Sequence, residues 1–205
     1  FANAEQEIHA QRLGIWIFLA SEVLLFAALF TLYAVYRINF PDAFAYGIAH
    51  NNKLLGSCNT VVLITSSFTI AYAVHALEHG RRKVATACLL LTLFLATGFL
   101  FIKSIEYSQH IREGIVPGGN TAYFQQHAQR GLAQFFNSYY MMTGIHAVHV
   151  VIGIVVIATL GYFALSKRAM HAVIALEIAA LYWHLVDLIW IFLWPLFYLT
   201  GGHGQ

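Results

Sequence analysis

A bundle of membrane-spanning α-helices is the fold class that three observations predict. Of 205 residues, 60% are apolar and only 10% charged, against about 25% charged in a soluble domain. Mean hydropathy is +0.67. The apolar residues gather into five runs, over 13–36, 54–77, 84–107, 135–165 and 172–199, each long enough to cross a hydrocarbon layer of about 30 Å at 1.5 Å per residue. The length suits one transmembrane domain over 1–205. A formal charge of +2 is too small for a nucleic-acid surface.

The first run holds Glu22 roughly 13–15 Å deep. It has no small-residue cleavage site and is expected to remain as a span. A connection over 37–53 follows, marked by Pro41, and then the second run with Cys58. A tight turn over 79–83 carries Arg81-Arg82-Lys83, a cluster suited to anionic headgroups. The third run contains Cys88 and ends with Lys103 and Glu106 one turn apart, which suggests an interfacial ion pair. The cysteines form no CxxC pair and are expected to be packing residues. After a longer connection over 108–134, with Pro117, Gly118 and Gly119, the fourth run is long enough to tilt or protrude. Its Gly144, Gly153 and Gly161 invite close helix approach. A short turn over 166–171, with Lys167 and Arg168, leads to the fifth run. There Glu177 is expected near the inner interface, and Pro195 is expected to bend the end.

The basic residues of the short segments (Arg12, Arg81, Arg82, Lys83, Lys167 and Arg168) share one side of this topology. The positive-inside rule puts that side, and the N-terminus, in the cytoplasm and the C-terminus outside. Tyr33, Tyr36, Phe40, Tyr107, Trp194 and Tyr198 fit an aromatic belt.

Ionisable groups at membrane depth are functional candidates, because they are costly unless paired or turned inward. Glu22 reads either as a proton-handling or lipid-contacting carboxyl or as a structural one. His146 and His149 lie one turn apart, as do His184 and Asp187. Such pairs on two helices could build a metal site or hydrogen-bond to each other, and the polar network is the favoured reading. Stacked haems are disfavoured, because each haem needs one histidine from each of two helices and these histidines lie too close along the axis for two layers.

Four blocks together resemble subunit III of the haem–copper terminal oxidases, in the five-helix form of cytochrome c oxidase subunit 3. They are Leu13-Gly14-Ile15-Trp16-Ile17-Phe18-Leu19-Ala20-Ser21-Glu22, Asn59-Thr60-Val61-Val62-Leu63, Thr143-Gly144-Ile145-His146-Ala147-Val148-His149-Val150-Val151-Ile152-Gly153, and Tyr182-Trp183-His184-Leu185-Val186-Asp187-Leu188-Ile189-Trp190-Ile191-Phe192-Leu193. The resemblance implies a bundle lacking the first two helices of the seven-helix form. It implies a multi-pass subunit of the bacterial plasma membrane with no catalytic residue, metal, haem or copper of its own. Haem and copper would lie in partner subunits, with subunits I and II as neighbours. The chain would stabilise subunit I, hold phospholipid and support proton uptake. By the same resemblance, Glu22 matches the membrane carboxyl that reacts with hydrophobic carbodiimide, and His146 matches the histidine that hydrogen-bonds to it. His149, His184 and Asp187 match structural positions. Arg81, Arg82, Lys83, Lys167 and Arg168 are the expected headgroup contacts, while Phe163 replaces a basic residue common in the family. Ser21-Glu22, Asn59-Thr60 and Tyr182-Trp183-His184 look more like a cytochrome c oxidase than a quinol oxidase. A proton-coupled small transporter is the alternative from another class.

Overall fold

The computed structural model describes residues 4–118, 122–127, 129–166 and 170–200. Seven helices occur among them: α1 Ala4–Asn39, α2 Pro41–His50, α3 Lys53–Glu78, α4 Arg82–Arg112, α5 Ala122–Gln126, α6 Leu132–Ser166 and α7 Met170–Tyr198. Helices α1, α3, α4, α6 and α7 are each long and apolar enough to span a membrane. Most of these helices outrun their apolar stretch. The apolar core decides what crosses the bilayer, while helical backbone bonding continues past it wherever no breaker intervenes.

The connection over 37–53 is mostly helix. Pro41 sits in the first turn of α2, where its missing N–H costs nothing and its fixed φ suits helix entry. Pro41 therefore marks a helix start and not the loop that was expected there. Helix α2 buries Ala43, Phe44, Gly47 and Ile48 against the bundle end. Asn52 opens α3 by accepting from the backbone N–H of Leu54 and Leu55 at 3.0 and 3.2 Å.

The packing is uneven. Helices α3, α4, α6 and α7 form a four-helix core through the α3–α4, α4–α6, α6–α7 and α3–α7 contacts. Helix α1 lies outside it against α6 and α7. Only 11% of the α1 apolar window is enclosed, against 56% for α7, so most of α1 is left for lipid or a neighbouring subunit. Between membrane helices, packing and hydrogen bonds must hold the fold, since lipid is as apolar as the core. Gly153 shows how close that packing is. A Cβ there would come within 2.6 Å of the Trp183 ring. Gly161 similarly faces Leu89, whereas a Cβ at Gly144 would meet only the Tyr107 hydroxyl, at 4.0 Å.

Two expected belt residues turn inward instead. Tyr33 and Tyr198 are buried, because each hydroxyl finds an internal partner. Tyr33 donates to the Leu196 carbonyl at 2.7 Å, and Tyr198 donates to Glu106 at 2.6 Å. Pro195 lies inside α7, one turn before its end at Tyr198.

Candidate functional site: two acid–base pairs in the membrane

Glu22 projects from α1 toward α6, and its Oε2 lies 2.8 Å from Nε2 of His149. The partner expected from the resemblance, His146, is not the one the fold supplies. Residues i and i+3 differ by about 60° around a helix axis. On a helix packed between α1 and α4, that angle sends His149 to α1 and His146 into the core. His146 is fully buried there, with Phe99 and Trp190 rings at 5.5 and 5.3 Å. Neither of its ring nitrogens has a hydrogen-bond partner.

The second nitrogen of His149 defines the chemistry of the pair. Nδ1 lies 2.8 Å from the Ile145 carbonyl oxygen. A carbonyl only accepts, so Nδ1 carries the hydrogen. The Nε2···Oε2 contact then contains one further proton, whether as carboxylic acid to imidazole or imidazolium to carboxylate. Either way the pair is net neutral, which lowers the cost of keeping it at membrane depth. Phe26 packs edge-on to the imidazole at 5.5 Å, and Tyr182 donates to the His149 carbonyl at 3.1 Å. Both partners retain modest exposure on the lipid side, at 13% for His149 and 15% for Glu22.

His184 and Asp187 do not meet the α6 histidines. His184 faces α3, with Nδ1 2.5 Å from Ser67 Oγ. It extends a polar ladder between α3 and α7, in which Trp183 donates to Ser66 and Trp190 to Thr60, both at 3.1 Å. The expected network joining His149, His184 and Asp187 is thus two separate structures, because α7 presents this stripe to α3 rather than to α6. The Asp187 carboxyl is buried on the same stripe, on the side of Ser67.

The second acid–base pair was expected at the interface and is instead enclosed. Lys103 and Glu106 are 3% and 1% exposed. Lys103 Nζ donates to Glu106 Oε2 at 2.8 Å, to Tyr139 at 2.9 Å and to Tyr198 at 3.1 Å. The remaining Glu106 oxygen accepts from Tyr198. The rings of Tyr107, Tyr139, Trp190 and Tyr198 surround the ammonium at 4.8–5.8 Å. All three ammonium donors are used, so the charge is both paired and hydrogen-bonded. Sequence spacing identified the ion pair but not its cage, which comes from α6 and α7.

Of the expected headgroup contacts, Arg81 and Lys83 are exposed. Arg82 turns inward and donates to the Leu165 carbonyl at 2.9 Å, closing the end of α6. Lys167 and Arg168 lie outside the described residues. Two apolar grooves flank α1. One, of about 220 Å³, is lined by Ile15, Phe18, Ile152, Val156 and Tyr182. The other, of about 510 Å³, lies by Arg37 among Phe30, Ala34, Phe192 and Pro195.

A family model described as Cytochrome c oxidase subunit III matches residues 4–202. The chain is 31% identical over 213 residues to Quinol oxidase subunit 3 of Bacillus spizizenii, covering 99% of this chain and 96% of that one. It is 28% identical over 204 residues to Cytochrome c oxidase subunit 3 of Bacillus sp. (strain PS3), covering 98% and 91%. It is also 29% identical over 198 residues to Heme-copper oxidase subunit I+III of Aeropyrum pernix, covering 92% of this chain and 22% of that longer protein.

Proposed function

The chain belongs to the cytochrome c oxidase subunit III family, and from that premise we propose that it is the non-catalytic third subunit of a proton-pumping terminal oxidase in the bacterial plasma membrane. The family match over residues 4–202 carries this reading. Oxygen reduction then belongs to partner subunits, which hold haem and copper, and this chain packs against subunit I beside subunit II. A relative named as a fusion of subunits I and III supports that neighbourhood. The largely unenclosed α1 is a suitable docking or lipid-facing helix. The two grooves beside it fit acyl chains of bound phospholipid, and Arg37 at the second suits an anionic headgroup. Arg81 and Lys83 are free to meet headgroups at the opposite end. The basic residues of that end favour a cytoplasmic N-terminus.

Glu22 and His149 provide the chain's contribution to proton uptake. Their contact holds one proton at the edge of the bundle, where a shift between oxygen and nitrogen requires no net charge movement into lipid. The 2.8 Å contact between the two helices supports this role.

Ser21-Glu22, Asn59-Thr60 and Tyr182-Trp183-His184, which look like their counterparts in cytochrome c oxidases, support cytochrome c as the electron donor. A quinol donor is the second reading, favoured by the 31% identity to the Bacillus spizizenii subunit. Mild solubilisation of tagged chain should bring down a haem–copper subunit with oxygen-consuming activity. Recovery of the chain without any haem–copper subunit, together with ion flux in liposomes made from it alone, would establish a transporter instead. Oxygen uptake with reduced cytochrome c, compared with quinol, decides the donor.

A further inference from the structure

The last turn of α3 carries a group of side chains that the bundle does not use. His75, Glu78 and His79 are exposed and offer three ligand atoms within 4.8 Å of one another. Helical spacing explains the grouping: residues four apart stack on one face, and the residue at i+3 lies beside them. The two imidazole rings stand 4.2 Å apart, centroid to centroid. Two imidazolium ions so close would repel, whereas neutral imidazoles there can share one cation.

The turn is also held in place. Gly80 takes φ 71°, and its N–H donates to the Leu77 carbonyl at 3.0 Å while that of Arg81 reaches the Ala76 carbonyl at 2.8 Å. This left-handed glycine closure pins the end of the helix. The His79 Nδ1 atom lies 2.9 Å from the His75 carbonyl oxygen. The carbonyl can only accept, so Nδ1 holds the hydrogen and Nε2 keeps a free lone pair. Metal-binding histidines are oriented by this kind of second hydrogen bond.

We propose that His75, Glu78 and His79 form a binding site for a divalent transition-metal ion of the zinc class. Two imidazoles and one carboxylate are a donor set that Zn²⁺ accepts, with a fourth position left to water. Mg²⁺ and Ca²⁺ prefer oxygen-rich sets and are excluded by the same donors. Arg81, Arg82 and Lys83 follow directly in the chain and oppose a dication. Glu78 offsets part of that charge, and the Arg82 guanidinium is engaged at the Leu165 carbonyl. The proposal does not depend on the oxidase reading, because it uses no partner subunit and no residue of the Glu22 or Lys103 sites.

The test is Zn²⁺ binding to the full-length chain in detergent, purified without a polyhistidine tag and measured by competition with a chromophoric chelator. One high-affinity equivalent per chain is expected, unaffected by excess Mg²⁺. His75→Ala and His79→Ala should each weaken binding at least tenfold and their combination should abolish it, while Glu78→Gln weakens it several-fold. His9→Ala and His127→Ala should leave it unchanged. All these positions are exposed, and helical circular dichroism reports that each variant is folded. Binding that survives the double replacement in folded protein, or no stoichiometric binding by the unaltered chain, overturns the site.

Discussion

Glu22–His149 and Lys103–Glu106 are both acid–base pairs within membrane-spanning helices, at 2.8 Å in each case, but their surroundings differ. The first bridges two helices at the lipid-facing edge, with one proton in the contact and few further partners. The second lies within a single helix at the centre of four, with tyrosines on two other helices using up its donors and acceptors. One arrangement is a single contact between two helices, and the other holds a charge in place and ties α4 to α6 and α7. The number of additional hydrogen bonds, rather than pair distance, separates the edge pair from the clamp.

The largest effect should come from breaking the clamp on one side. Lys103→Met leaves Glu106 buried without its cation, a defect that costs about 3–5 kcal/mol. Loss of assembled subunit from the membrane fraction, or a sharply lowered melting temperature in detergent, measures it. Adding Glu106→Gln should recover part of that loss. A double-mutant cycle showing no recovery would mean that the two charges do not act as a pair.

Next in size is Gly153→Leu, which drives a side chain into Trp183 at the α6–α7 contact. Overpacking of this kind costs about 1–3 kcal/mol, and thermal unfolding should show it. The edge pair should respond more weakly in stability than in activity. Glu22→Gln keeps a hydrogen-bonding group opposite His149, so assembly should remain intact, with stability changed by about 1 kcal/mol and a modest fall in turnover of the complex. Infrared difference spectra sharpen the contrast: His149→Phe should shift the Glu22 carboxyl band, and His146→Phe should leave it in place. The smallest effect belongs to His50–Glu113, an exposed contact at 2.6 Å between α2 and the end of α4. His50→Gln should change stability by about 0–1 kcal/mol.

The fold was legible because each span is a long apolar run, and runs of that length in so weakly charged a chain have few other uses. Helix α2 was less legible, since Pro41 marks a loop or a helix start equally well. The two pairs show where one-dimensional reading stops. Spacing put Lys103 beside Glu106, but Tyr139 and Tyr198 are distant in sequence and became neighbours only through packing. Spacing also put His146 and His149 on the same face. Which of them met Glu22 depended on the position of α1 around α6, an angle that no motif encodes. The Ser66, Ser67 and Thr60 partners of α7 were likewise hidden, because small hydroxyls within an apolar run can equally bond to their own helix backbone.

The fastening of α1 carries a lesson for biogenesis. Tyr33 donates to the Leu196 carbonyl, and Arg37 donates to the hydroxyl and carbonyl of Thr200 at 2.7 and 2.6 Å. These partners are separated by 163 positions. This fastening of α1 therefore waits until the end of α7 is in place. Until then it must be sheltered by lipid, an insertase or an already inserted neighbour, and a translation product stopped short of Leu196 would leave it unlatched for quality-control proteases to find.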